Sequence, residues 1–126
     1  MIEPPRWPTM AEEADMQYRT FGRTTWRPSA LGFGAMRLPV LDGDHAKIDE
    51  DLAMRMVRAA IDGGVNYVDT AWPYHSGESE RFLGRALRDG YRQRVRVATK
   101  MPSWLVDKRD DFDRFFDEQR RRLDTE

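Results

Sequence analysis

The sequence predicts an α/β fold with a parallel sheet, and three observations carry that prediction. After a short hairpin, strand-like and helix-like segments alternate three times. The strand centres, near Phe33, Val68 and Val97, recur at roughly the spacing of one βα unit of about 30 residues. Glycine or proline punctuates each unit, at Gly63-Gly64, Gly90 and Pro102. A parallel sheet must be covered on both faces or close into a barrel. Three units form an incomplete version of either.

Residues 1–15 hold three prolines, four acids and no apolar run, the composition of a disordered leader. They lack the continuous apolar stretch of a signal peptide. The texture changes at Met16, and residues 16–126 read as one structural unit. Gln17 to Pro28 reads as a hairpin, turned by Gly22 and Thr24-Thr25, with Pro28 cutting the return strand short. Residues 30–36 (ALGFGAM) are apolar and glycine-spaced, a buried strand.

Asp49 stands where an N-cap belongs, before the stripe Leu52, Ala53, Met56, Val57, Ala60, Ile61. This predicts a helix over 49–63, stopped by Gly63-Gly64. Residues 66–70 (NYVDT) form the second strand. Phe82, Leu83, Ala86 and Leu87 mark a second helix over 78–89, ended by Gly90. Residues 94–100 (RVRVATK) alternate as a third strand. Asp110 or Asp111 caps a third helix over 110–124, with Phe112, Phe115, Phe116 and Leu123 as its apolar face.

Composition narrows the function classes. The 126 residues carry 21 basic and 22 acidic side chains, a formal net charge of −1. That balance argues against a nucleic-acid surface, which needs a clustered basic excess. No run reaches the roughly 18 apolar residues of a membrane span. The absence of cysteine excludes disulfides and thiolate chemistry within this chain. It fits a reducing compartment, so a cytoplasmic location is expected. No histidine pair has metal spacing, so no metal site is expected. A mean hydropathy of −0.78 is low for one compact domain.

In parallel βα folds, chemistry collects where strands end. The three strand ends carry Gly34-Ala35-Met36, then Asp69, then Lys100, with Tyr74 in the loop beyond Asp69. Lysine is scarce, three against eighteen arginines, so a lysine at a strand end stands out. Asp69 and Lys100 read either as an ion pair closing two strands or as part of a site. Tyr74 alone reads as a loop tyrosine with a wet hydroxyl. Beside an ammonium, however, a phenol can donate a proton to a developing alkoxide near neutral pH. Gly34 and Ala35 read as close strand packing or as a shelf for a flat ring. His75 and Trp72 could line a pocket beside Tyr74. His45 reads as solvated, and Arg120–Arg122 as a solvated helix face. No G-x-G-x-x-G opens a helix and there is no P-loop.

At these residues the sequence resembles the aldo-keto reductase superfamily. The resemblance runs from about Met16 to the end of the chain. It is carried by MQYRTFGRT, SALGFGAMRLP, GVNYVDTAWPYHSGESERFLGRAL and VRVATKM. It implies an N-terminal hairpin plus the first three βα units of a (β/α)8 TIM barrel, incomplete in this chain. Such a barrel needs about 250 residues, so the remainder, with the fourth member of the family's Asp-Tyr-Lys-His tetrad, is expected beyond Glu126.

The resemblance also implies reduction of aldehydes or ketones, with NADP(H) more expected than NAD(H). Asp69, Tyr74 as proton donor and Lys100 map onto three tetrad positions. Gly34, Ala35, Met36 and Arg37, with Asp69, map onto the stretch near the nicotinamide. His75 stands where many members have glycine. The run Tyr74–Glu80 resembles a bacterial branch that often carries a C-terminal iron–sulfur domain, so such a cluster is expected only in a missing C-terminal region. Two other readings stand beside it. One is a truncated or accessory, non-catalytic chain that keeps the fold. The other is an unrelated flavodoxin-like domain, with the third strand between the first two.

Overall fold

The computed structural model describes residues 15–126. The leader expected at 1–15 therefore lies, apart from Asp15, outside the described residues. The six main elements are β1 (Phe33–Gly34), α1 (Glu50–Asp62), β2 (Tyr67–Asp69), α2 (Glu78–Ala86), β3 (Arg96–Ala98) and α3 (Asp110–Leu123). All three strands are parallel and lie in the order β1-β2-β3. Gly34 pairs with Asp69, and Asp69 with Ala98, so the strand ends line up side by side. The sequential order excludes the flavodoxin-like alternative. The fold is part of a (β/α) barrel.

Every strand is shorter than its sequence pattern suggests. The first leaves the sheet at Ala35, where residues Ala35–Arg37 tighten into a 3₁₀ turn, so Met36 and Arg37 lie past the strand rather than in it. The third starts after a 3₁₀ turn at Arg92–Arg94. The first strand is also not fully buried: Phe33 is half-buried and Gly34 exposed. Among the described residues it pairs on one side only, with β2.

The expected hairpin exists as a minimal antiparallel bridge between Tyr18 and Ser29. Arg19 N–H donates to the Pro28 carbonyl (2.9 Å) and Ala30 N–H to that of Gln17 (2.7 Å). Its floor is tied to the sheet, where Asn66 Oδ1 accepts from Ser29 N–H at 2.8 Å and Tyr18 Oη donates to the Gly64 carbonyl at 2.9 Å.

The first helix begins as expected, with Asp49 Oδ1 accepting from Leu52 N–H at 3.1 Å. Its stop is shared: Gly63 closes the last turn and Gly64, at φ 102°, makes the left-handed exit. Only part of its expected stripe is covered. Ala53, Val57 and Ile61 are buried, while Leu52 and Met56 are 39% and 43% exposed.

The third helix departs in the same way. Phe115 and Leu123 are buried, but Phe112 and Phe116 are 51% and 56% exposed. The buried row runs through Asp111, Phe115, Gln119 and Leu123, one residue every fourth, toward α2. Phe112 and Phe116 fall beside that row. Neither Asp110 nor Asp111 caps the helix, which follows Arg109 without a side-chain cap. Asp111 instead reaches back, its Oδ2 accepting from the N–H groups of Asp107 (3.0 Å) and Lys108 (3.1 Å).

The second helix matches its pattern. Phe82, Leu83, Ala86 and Leu87 are buried against Val57, Ile61 and Val68 in one apolar core. It ends at Ala86, earlier than Gly90. A Cβ on Gly84 would lie 2.6 Å from the Arg122 carbonyl oxygen, so glycine lets α3 approach α2 closely. Among the described residues no helix is long and apolar enough to cross a membrane.

Candidate active site

Register does most of the assembly. Because Asp69 is level with Ala98 in the parallel ladder, the chain beyond β3 brings Lys100 back over Asp69. Lys100 Nζ donates to Asp69 Oδ2 at 2.7 Å, to the Thr70 carbonyl at 2.8 Å and to Tyr74 Oη at 3.2 Å. The same ammonium lies 4.9 Å from the centre of the Tyr74 ring. Asp69, Tyr74 and Lys100 thus form one connected cluster at the ends of adjacent strands, with Lys100 at its centre.

Electrostatics keep that centre charged. Partial burial pulls the Lys100 pKa down, but the hydrogen bonds of Asp69 and Tyr74 and the negative charge of Asp69 outweigh it. The net shift is upward from the ordinary lysine value. At neutral pH the ammonium is protonated, donating to the phenolic oxygen. It stabilises any negative charge that develops there.

Two buried networks hold the cluster from below. Thr70 and Ser79 share a hydrogen bond at 2.9 Å, and Ser79 Oγ donates to the Ala35 carbonyl at 3.2 Å, joining β2, α2 and the end of β1. The second centres on Glu80, which is completely buried. Thr99 Oγ1 donates to it at 2.5 Å, Gln119 Nε2 at 2.7 Å and Arg122 Nη1 at 3.3 Å. Gln119 also donates to the Lys100 carbonyl at 2.9 Å. These donors satisfy a carboxylate that burial would otherwise penalise heavily.

Sequence reasoning singled out none of Thr70, Ser79, Glu80 or Gln119 for this role. The signal was available in the spacing. Ser79 continues the buried row of Phe82 and Ala86, and Glu80 that of Leu83 and Leu87. Gln119 sits between Phe115 and Leu123. A polar residue inside an apolar row is a buried polar group in need of partners.

The cofactor candidates lie beside the cluster. Gly34 is level with Asp69, and a Cβ built on it would meet nothing within 4 Å among the described residues. Nothing among the described residues packs on this glycine. Ala35 is buried, while Met36 and Arg37 are exposed on the turn that follows.

The two pocket candidates sit elsewhere. The Trp72 indole is packed edge-on against Phe115 at 5.1 Å, with the Arg122 guanidinium 3.5 Å from its ring centre. His75 is 4% exposed, with both ring nitrogens bonded to backbone groups of the chain. His75 is buried, whereas Trp72 is half-buried against Phe115 and Arg122. Both ring nitrogens of His75 are already used, which the sequence alone could not reveal.

Comparison with known proteins adds the family. Residues 30–126 match the model of the aldo/keto reductase family. The chain belongs to that family. Among curated relatives, it is 39% identical over 88 residues to a probable voltage-gated potassium channel subunit beta from Oryza sativa subsp. japonica, a match covering 68% of this chain and 25% of the relative. Among solved structures, aldo-keto reductase AKR11C1 from Bacillus halodurans (holo form) superposes with a TM-score of 0.68 at 28% identity, covering 87% of this chain and 37% of that one. An aldo-keto reductase from Klebsiella pneumoniae in complex with NADPH gives a TM-score of 0.63 at 29% identity, covering 79% and 32%. The chain thus spans about a quarter to two fifths of the length of these relatives.

Proposed function

We propose that this chain is the N-terminal part of an NADP(H)-dependent reductase of aldehydes or ketones, with Tyr74 as the proton donor. The single observation that carries the reading is the Lys100 ammonium shared between Asp69 and Tyr74. An ion pair closing two strands would need only Asp69 and Lys100. The third bond, to a phenol at the mouth of the strands, is what general-acid chemistry needs.

The residues present fit a nicotinamide ring. Gly34 has open space over it and lies level with Asp69, so a flat ring can rest on the strand end beside the cluster. Gly34, Ala35, Met36 and Arg37 would form the shelf, with Asp69 at its edge. When bound, the reduced nicotinamide supplies the hydride. The chain supplies the rest. Tyr74 Oη gives its proton to the carbonyl oxygen. Lys100 offsets the charge left on Tyr74, and Asp69 holds Lys100 in place. The NADPH-bound Klebsiella relative supports the choice of cofactor.

The test is Tyr74→Phe in the full-length protein. NADPH oxidation with an aromatic aldehyde should fall by roughly 10²- to 10⁴-fold, the usual contribution of a general acid. NADPH affinity should hold. Undiminished turnover would sink the assignment.

A second reading is favoured by the rice relative, which is described as a channel subunit. In that reading the chain is an accessory protein that keeps the fold and the cofactor shelf without turnover. NADPH binding with no aldehyde-dependent oxidation by the wild-type protein selects it.

A further inference from the structure

His75 adjoins Tyr74 but points the other way. Its Nε2 lies 3.0 Å from the Leu38 amide nitrogen and its Nδ1 lies 2.8 Å from the His45 carbonyl oxygen. A backbone N–H can only donate, so Nε2 is unprotonated and Nδ1 carries the proton. One neutral imidazole therefore fastens two points of the loop between β1 and α1 to the residue after Tyr74. The fastening is buried, at 4% exposure.

The backbone is bent to allow this. His75 has φ 53° and ψ 45°, and Ser76 follows at φ 55°, both left-handed. A left-handed conformation costs an L-residue on the order of 1–2 kcal/mol, and glycine escapes that cost. A histidine here holds a strained position that glycine would occupy freely. Its two hydrogen bonds offset the strain.

The same turn region grips the far side of the shelf. Ser79 Oγ donates to the Ala35 carbonyl at 3.2 Å, while His75 accepts from the Leu38 amide. The segment Ala35–Leu38 is pinned at both ends, and between the pins lie the exposed Met36 and Arg37.

We propose that His75 is a positioning residue, a latch that sets the separation between the Gly34–Arg37 shelf and the Tyr74 hydroxyl. In carbonyl reduction the atom that receives hydride and the atom that receives the proton are bonded neighbours. The shelf and the phenol must therefore be held in register, and a misplacement of about 1 Å can cost roughly 10²-fold in rate. The effect on turnover rests on the reductase reading given above, whereas the latch itself does not.

The experiment has one part without a variant and one with. In the ¹⁵N-labelled full-length protein, the His75 imidazole should be the neutral Nδ1–H tautomer by NMR, and the Leu38 amide should be protected from hydrogen exchange. An Nε2–H tautomer or an unprotected Leu38 amide overturns the latch. In His75→Gly, Leu38 exchange should quicken by roughly tenfold or more. With NADPH and an aromatic aldehyde, kcat should drop by a similar or larger factor while KM stays nearly constant. Because the glycine also removes backbone strain, the urea midpoint should move little. Unchanged Leu38 protection, or unchanged kcat, in the folded variant overturns the proposal. If His75→Gly does not fold, the wild-type tautomer decides. A wild-type protein that oxidises no NADPH removes the reductase reading, while tautomer and exchange still judge the latch.

Discussion

The side-chain amide of Gln119, in α3, donates to the backbone carbonyl of Lys100 at 2.9 Å. The same nitrogen donates to Glu80 at 2.7 Å, so the chain position of Lys100 is fixed by a carboxylate buried between helices. The cluster on the open side of the sheet is thus supported by charge on its closed side.

Loss of that support should be expensive. Glu80→Ala removes the acceptor of Thr99, Gln119 and Arg122 and leaves the Arg122 guanidinium, itself only 11% exposed, without its buried partner. Removing one member of a buried pair costs roughly 3–5 kcal/mol. Urea denaturation should show a loss of that size, with Glu80→Gln losing less because it retains an acceptor oxygen.

Gly34→Val tests the shelf separately from the fold. The backbone there is extended, at φ −98° and ψ 124°, and a Cβ meets no neighbour within 4 Å. Stability should therefore stay within about 0.5 kcal/mol of the wild type. NADPH binding, followed by fluorescence titration, should weaken by roughly tenfold or more if a ring rests on this strand end, since a branched side chain would fill its place.

Gly84→Ala should be destabilising. The added methyl would meet the Arg122 carbonyl oxygen at 2.6 Å and the Leu123 carbonyl carbon at 3.0 Å, both backbone atoms that cannot swing aside. Overpacking of this kind costs about 1–3 kcal/mol. The thermal midpoint should fall, and the loss of α2–α3 packing should speed amide exchange in α3.

Acid should weaken the protein through two carboxylates. The backbone N–H groups of Asp107 and Lys108 hold the Asp111 carboxyl below the usual range, and Arg114 adds to this. The hydrogen bonds of Arg94 and Tyr91 do the same for Asp62. A carboxyl with a lowered folded pKa stabilises above its ordinary value of about 3.9. That contribution is lost as pH falls through the folded value. Urea midpoints between about pH 5 and pH 3 should therefore fall more steeply for the wild type than for an Asp62→Asn/Asp111→Asn protein, which lacks both titrations.

What could be read from the sequence was mostly periodic. The parallel order, the three units and the buried row of α2 follow from spacing, because Phe82, Leu83, Ala86 and Leu87 leave one consistent arrangement. The grouping of Asp69, Tyr74 and Lys100 was also legible, since parallel strands of matched register bring their ends together. The stripes of α1 and α3 are covered only in part among the described residues. Periodicity reports which residues share a face, not whether a neighbour covers it, and Leu52, Met56, Phe112 and Phe116 lie on flanks with little cover. The direction of His75 was not legible for a different reason. It depends on a left-handed backbone, and nothing in residue type announces three successive left-handed residues at His75, Ser76 and Gly77.

The short span of the cluster has a consequence of its own. From Asp69 to Lys100 the chain passes through one helix and one strand, and every bond among the three side chains is closed within that stretch. Pairing of β3 with β2 brings the three side chains together, and α3 then holds the Lys100 backbone through Gln119. A change outside this stretch reaches the three side chains only through their supports, of which the Gln119 bond to the Lys100 carbonyl is one.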